Sequence, residues 1–280
     1  MNTSDLTYLY SCSAHSKNPE KAGDEFDSKV EKIYNALKNS SIKRQEDLAY
    51  NPNGELTQID IWGPEDAEKV LIMIHGGYWL IGNRKKCLAV VPVAQKLGFT
   101  VVSVGYDYAN KYHPLSKTIE EALDGVQKRK ENCHWWAFCR SSFSISRRVP
   151  RESVPIFNIF SAVTKLKDPR IRGVFLSSGI YKIQELVHTS YGQDLGLTSE
   201  DAETCSCDYD LFKTIQFPIL LTNCKIESPK LYQQNLEISH LVPNIQYKEY
   251  ANEDHFTILT ELINENSPVH TDFFNFLHSV

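Results

Sequence analysis

Two periodicities run through the chain. Apolar residues recur at helical spacing in "GDEFDSKVEKIYNALKNSSI", where Phe26, Val30, Ile33, Tyr34 and Leu37 share one face, so the pattern predicts an amphipathic helix. Further on, short apolar runs bounded by turn residues take over. "ELTQIDIWGP" alternates loosely and stops at Gly63-Pro64, which predicts a strand and turn. "EKVLIMIHGG", "FTVVSVGYDY", "IRGVFLSSGIY", "FPILLTNCKIESP" and "IQYKEYANEDHF" read as strands, the last three leading into loops or small residues. Between them "CLAVVPVAQKLG", closed by Gly98, and "SKTIEEALDGVQKRK" read as helices, and "FFNFLHSV" closes a terminal helix.

Strands alternating with helices predict a mostly parallel sheet covered on both faces. Such sheets bind ligands beyond the carboxyl ends of their strands. The polar residues gather at those ends: after Ile74, after Leu176, after Leu221 and after Tyr250. No repeat, long linker or composition break divides the 280 residues. The expectation is one α/β domain over 1–280, with a helical N-terminal extension over about 1–50 and an irregular segment over about 128–163.

Composition narrows the function classes. Hydrophobic residues make up 41% and charged residues 23%, ordinary for a globular protein. The net charge of −5 gives a nucleic-acid partner no global support, and the basic cluster from Lys128 to Arg151 reads as a solvated or irregular stretch. No apolar run reaches the roughly 18 residues a membrane span needs, and no signal peptide pattern opens the chain. Seven scattered cysteines are odd in number and predict reduced thiols in a cytoplasmic setting, the nucleus also being open. Nine histidines without a His-Glu-x-x-His spacing predict no metal site, and nothing calls for a cofactor.

Two segments carry candidate chemistry. His75-Gly76-Gly77-Tyr78-Trp79 follows a buried strand. In one large class of α/β enzymes the loop after that strand supplies backbone N–H groups to an oxyanion hole, and glycine lets the backbone approach a substrate without a clashing Cβ. A plain strand-end turn would also use Gly-Gly. His255, in "NEDHFTIL" after the last strand, stands where a general base comes last in the order nucleophile, acid, histidine. The acid should follow the preceding strand, where Glu227 lies in "KIESPKLY". An exposed loop carboxylate and a capped loop histidine are the structural alternatives.

Together these segments resemble a known family. "HGGYW" matches the HGGxW motif of the kynurenine formamidases (arylformamidases), a branch of the α/β-hydrolases. "VGYDYA", "DPRIRGVFLSSGIY", "ELVHTSYG", "ESPKLYQQ" and "DHFTIL" extend the likeness from about Leu56 to Leu259. The resemblance implies an α/β-hydrolase fold and hydrolysis of N-formyl-L-kynurenine to L-kynurenine and formate. It implies oxyanion donors at Gly77 and Tyr78, and His255 as catalytic histidine. Glu227 stands where the family usually has Asp. The implied partner is a small aromatic formamide; nucleic acid and membrane are not expected, and a homodimer is left open. A carboxylesterase is the alternative activity within the same fold.

The family's G-H-S-A-G nucleophile elbow has no counterpart in the sequence as written. No G-x-S-x-G occurs, and no glycine separates Gly125 from Gly173. Ser141, Ser142 and Ser144 lack the small neighbours an elbow needs, so no nucleophile is identifiable. Back-translated and read one nucleotide later, Trp135 to Ser144 can spell G-G-H-S-A-G-A-H-L-A, and Glu131 to His134 can spell Arg-Ile-Val-Ile. The segment reads as elbow-coding sequence in a shifted frame, returning to register by about Thr164; only the paired tryptophans force their shifted readings, and a genuinely divergent loop is the alternative. The expectation is a disrupted elbow region, without its leading strand, and a chain that is either a formamidase by descent or a catalytically inactive protein of hydrolase fold.

Overall fold

The computed structural model of the protein describes residues 2–127, 134–139 and 171–280. Eight strands form one sheet in the order β1-β2-β4-β3-β5-β6-β7-β8. They are β1 (Arg44–Ala49), β2 (Gln58–Trp62), β3 (Lys69–Ile74), β4 (Phe99–Val104), β5 (His134–Cys139), β6 (Ile171–Ser177), β7 (Ile219–Ile226) and β8 (Ile245–Asp254). β1 and β2 are antiparallel, and every pairing from β4 to β8 is parallel.

Parallel strands buried on both faces are largely apolar, and β3 after its exposed Lys69, and β4 apart from Thr100 and Ser103, are of this kind. Side chains alternate across the sheet. Val70, Ile72 and Ile74 of β3 pack on one face with Ile119 and Ala122 of α4 (Leu115–Gln127) and with Ile238 of a helix that follows β7. Leu71 and Met73 pack on the other with α2 (Ala22–Lys38), α3 (Val91–Lys96) and the C-terminal helix over Pro268–Ser279. Helix α2 presents the predicted stripe: Phe26, Val30, Ile33 and Leu37 are all buried. Among the described residues no helix is long and apolar enough to cross a membrane.

Three expectations are corrected. The first concerns His134–Cys139, read as part of an irregular stretch that had lost its strand. The structure places it as β5, parallel between β3 and β6, with Ile74 opposite Cys139 and Leu176 opposite Cys139 on the other side. A ladder is made of main-chain groups, and Trp, Phe and His are compatible with a strand backbone, so the unfamiliar side chains do not prevent pairing. The sheet is therefore continuous through its centre. Ser141, Ser142 and Ser144, and the irregular course expected up to about residue 163, lie outside the described residues.

The second concerns the N-terminal extension. Residues 44–49 form an edge strand rather than helix, bulged between Gln45 and Leu48 with Asp47 at φ 60°. Charges and a bulge are features of edge strands. A short helix not foreseen in the sequence, α1 (Thr3–Tyr10), opens the chain. The third concerns "CLAVVPVAQKLG". A 3-10 turn runs over Arg84–Val90, and α3 begins at Val91 with proline in its first turn. Proline is tolerated there and not in a helix interior, so one continuous helix does not form. Gly98 closes α3 at φ 79°, as its position predicts.

Beyond β6 the chain builds α5 (Ser190–Leu195), α6 (Ser199–Cys205) and α7 (Tyr209–Phe212), then α8 (Pro229–Leu241) after β7. The short α9 (Thr257–Thr260) follows β8, and α10 (Pro268–Ser279) ends the fold.

Candidate active site

The loop after β3 turns on glycine and on two residues that are not glycine. Gly77, Tyr78 and Trp79 have φ of 112°, 53° and 58°. A Cβ on Gly77 would lie 2.1 Å from the Ile81 carbonyl oxygen, so the tight return of the chain excludes any side chain there. That return is fixed by Leu80 and Ile81, whose N–H groups both donate to the Gly77 carbonyl at 3.0 and 3.1 Å. Left-handed Tyr and Trp are strained, and packing holds them. Trp79 is buried in the core, and its carbonyl accepts from the Ala109 N–H at 2.9 Å. The Tyr78 ring stacks on Tyr191 at 4.6 Å, and its hydroxyl donates to the Tyr10 carbonyl at 2.7 Å. Among the described residues neither the Gly77 nor the Tyr78 N–H finds an acceptor.

His75 underpins this loop rather than facing substrate. It is 2% exposed, stacks on Tyr106 at 4.2 Å, and its Nδ1 lies 2.8 Å from the Gly76 carbonyl. Burial pushes its pKa down to about 4, so the ring is neutral at pH 7. Gly82, at φ 104°, passes so close that a Cβ would meet Gly76 O at 2.7 Å and His75 Nδ1 at 2.8 Å.

The second half of the site is made of side chains. Glu227 leaves the end of β7 with a fully buried carboxylate: Oε1 accepts from the Ser228 N–H and Oε2 from His255 Nδ1, both at 2.8 Å. His255 sits on the turn after β8. Asp254 organises that turn, with Oδ1 accepting from the Phe256 and Thr257 N–H groups at 3.0 and 2.8 Å and Oδ2 from the Lys17 N–H at 3.0 Å. Burial alone would raise its pKa; the N–H donors of Thr257, Lys17 and Phe256 outweigh this and hold it below the usual carboxylate range. Asp254 is thus spent on backbone, and Glu227 is the carboxylate that orients the imidazole.

The two halves meet. Gly76, Gly77, Tyr78 and His255 share one cleft, whose remaining wall includes Ser178, Ile180 and Leu231. Ser178 has an unusual φ of 45°, but its hydroxyl lies 3.8 Å from Cys224 Sγ in the interior. A larger adjoining cavity of about 640 Å³ is lined by the same loop and His255, by Phe26, Tyr191 and Phe256, and by Cys12. Such a volume suits a small aromatic molecule. Sequence reasoning missed Cys12 and Tyr191. No local signal marks either, because the N-terminal segment reaches the site only through the fold.

Cys12 Sγ, a Glu227 oxygen and a His255 ring nitrogen lie within 4.8 Å of one another, donor types that can bind a metal. The Nδ1–Oε2 separation of 2.8 Å is, however, that of a hydrogen bond, shorter than the about 3.3 Å that ligands of one tetrahedral zinc keep. The arrangement as it stands is an acid–base pair with a thiol beside it.

No protein-family model matches the chain. In sequence it is similar to kynurenine formamidase of Danio rerio, 25% identical over 236 residues covering 77% of this chain and 76% of that protein. It is also similar to kynurenine formamidase of Salmo salar, 24% identical over 228 residues, covering 75% and 74%. In structure it resembles a candidate thioesterase from Silicibacter sp. TM1040, with a TM-score of 0.69 at 15% identity over 95% of this chain and 98% of that one. The hyperthermophilic esterase of Pyrobaculum calidifontis superposes with a TM-score of 0.66 at 13% identity, over 91% and 92%. Sheet order and these likenesses agree: the chain has the α/β-hydrolase fold, and the proteins it is similar to in sequence include kynurenine formamidases.

Proposed function

We propose that the protein is a formamidase-like acyl hydrolase acting on N-formyl-L-kynurenine, with L-kynurenine and formate as products. The observation that carries this reading is His255, bonded to the buried Glu227 at 2.8 Å and lining the same cleft as the Gly76-Gly77-Tyr78 loop. In the proposed mechanism the Gly77 and Tyr78 N–H groups stabilise the oxyanion that develops as the formyl carbon becomes tetrahedral. Glu227 fixes the imidazole with Nδ1 toward itself, leaving Nε2 to take a proton from the nucleophile and return it to the leaving aryl amine. The apolar and aromatic cavity walls suit the aromatic amine portion of an aryl formamide. Two sequence relatives carry this activity in their names, which supports the choice of substrate.

A second reading is a hydrolase-fold protein without turnover, favoured by the absence of any G-x-S-x-G from the sequence. Purified full-length chain assayed with N-formyl-L-kynurenine and with p-nitrophenyl acetate separates the two. The first reading expects formate release dependent on His255. Ester cleavage without formamide cleavage would move the protein to the carboxylesterases, and no cleavage of either substrate favours the second reading.

A further inference from the structure

Cys12 is an N-terminal residue seated among the parts of a catalytic centre. Its Sγ lies within 4.8 Å of both the Glu227 carboxylate and the His255 ring, and it lines the 640 Å³ cavity together with Gly77, Tyr78 and His255. The backbone on either side of it is tied to both halves of the site. Two residues before it, the Tyr10 carbonyl accepts the Tyr78 hydroxyl at 2.7 Å; five residues after it, the Lys17 N–H donates to Asp254 at 3.0 Å. Helix α1 is anchored too, the Tyr10 hydroxyl donating to Glu185 at 2.9 Å and Thr7 Oγ1 accepting the Ser190 N–H at 2.9 Å. The Cys12 thiol donates to the Tyr10 carbonyl at 4.0 Å and lies beside an imidazole that a carboxylate orients, an arrangement from which a nucleophile can be activated once the thiol turns to the ring. Among the described residues no other cysteine belongs to a group of this kind, and burial pushes the Cys205 thiol up to about 12.

We propose that Cys12 is the nucleophile of a Cys12–His255–Glu227 centre. The idea rests on the hydrolase reading above and supplies the group that reading lacks. His255 takes the thiol proton, and the thiolate attacks the formyl carbon, forming a C–S bond and an oxyanion held at Gly77 and Tyr78. The C–N bond breaks as the imidazolium protonates the aryl amine, leaving an S-formyl enzyme. Water, deprotonated by His255, then attacks the thioester carbon; the C–S bond breaks, formate leaves and the thiol regains its proton. A cysteine in place of serine is a known variant of this chemistry on other folds.

Three measurements on the full chain test it. Incubation with p-nitrophenyl acetate followed by acid quench and peptide mass analysis should find the acetyl group on Cys12. Iodoacetamide labelling, read separately for each cysteine across pH 5–9, should show Cys12 reacting faster than Cys87, Cys205, Cys207 and Cys224, and at least about tenfold more slowly in His255→Ala. Turnover should fall about a thousandfold in Cys12→Ala and fall less in Cys12→Ser, with thermal melts confirming that both variants fold. Turnover preserved in folded Cys12→Ala, or acetyl found on a serine, overturns the proposal while leaving the hydrolase reading intact. A chain inert to formamide whose Cys12 is still acetylated and alkylated in a His255-dependent manner sinks the formamidase reading and keeps the nucleophile. Labelling of Cys12 indifferent to His255, without acetylation, overturns it whatever the turnover.

Discussion

The two halves of the site are built from different materials. The loop after β3 offers main chain: the groups proposed to work there are N–H donors, placed by left-handed turns at Gly77, Tyr78 and Trp79. The corner after β7 and β8 offers side chains, a carboxylate and an imidazole in contact. A main-chain half tolerates changes of side chain but not of conformation. A side-chain half tolerates backbone adjustment but not loss of a functional group. Substitutions that respect one half's rule and violate the other's are the way to tell them apart.

The largest effect should come from His255→Ala. It removes the proposed proton carrier and is expected to lower kcat on the order of ten-thousand-fold with little change in melting temperature. Steady-state kinetics beside a thermal melt checks both, and an equally large loss of stability would mean that the ring is structural. Glu227→Gln keeps the shape but not the charge that fixes the tautomer, and should cost on the order of a thousandfold in kcat. If activity survives, another carboxylate orients His255.

Gly77→Ala obeys the opposite rule. Its Cβ would collide with Ile81 O at φ 112°. The expected loss is on the order of a hundredfold in kcat, with about 2 kcal/mol of stability by urea denaturation. Kinetic loss here should come with destabilisation, unlike in His255→Ala. Tyr78→Phe leaves the N–H in place and removes only the bond to Tyr10 O, worth about 1 kcal/mol. Hydrogen exchange across residues 3–17 should quicken, with activity falling only a few-fold.

The last test concerns the loop's foundation and is read in stability rather than in turnover. His75 has a pKa near 4 in the folded chain and an ordinary one near 6.5 unfolded. Between those values the unfolded state binds the proton and the folded state does not, so stability falls as pH drops from about 6.5 to about 4. The loss from this group is about 3 kcal/mol when complete. Urea melts at pH 7, 5 and 4 should show a shallower decline for His75→Asn than for the parent.

Much of the main-chain half is legible in the sequence. A buried apolar run ending in Gly-Gly declares both a strand and a close approach, and Gly77 is where a Cβ has no room. What the letters conceal is that Tyr78 and Trp79 continue the left-handed turn, since neither residue favours it and tertiary packing imposes it. Glu227 and His255 can be located by chain order because each follows a readable strand. Strand β5 was not legible: its central place comes from main-chain pairing with β3 and β6, which a reading based on side-chain pattern does not see. Cys12 was invisible for another reason: nothing near residue 12 refers to residues 227 and 255, and the three meet only when the sheet has formed.

The bond from the Lys17 N–H to Asp254 spans 237 positions. On a ribosome the first segment emerges long before the strand that will fix it. Until β8 has been made, the early residues have nothing to close against, and the cavity lacks both its cysteine wall and its imidazole. Assembly of this site thus waits for β8, and a nascent chain stalled before residue 254 would hold the Gly76-Gly77-Tyr78 loop without the groups that face it.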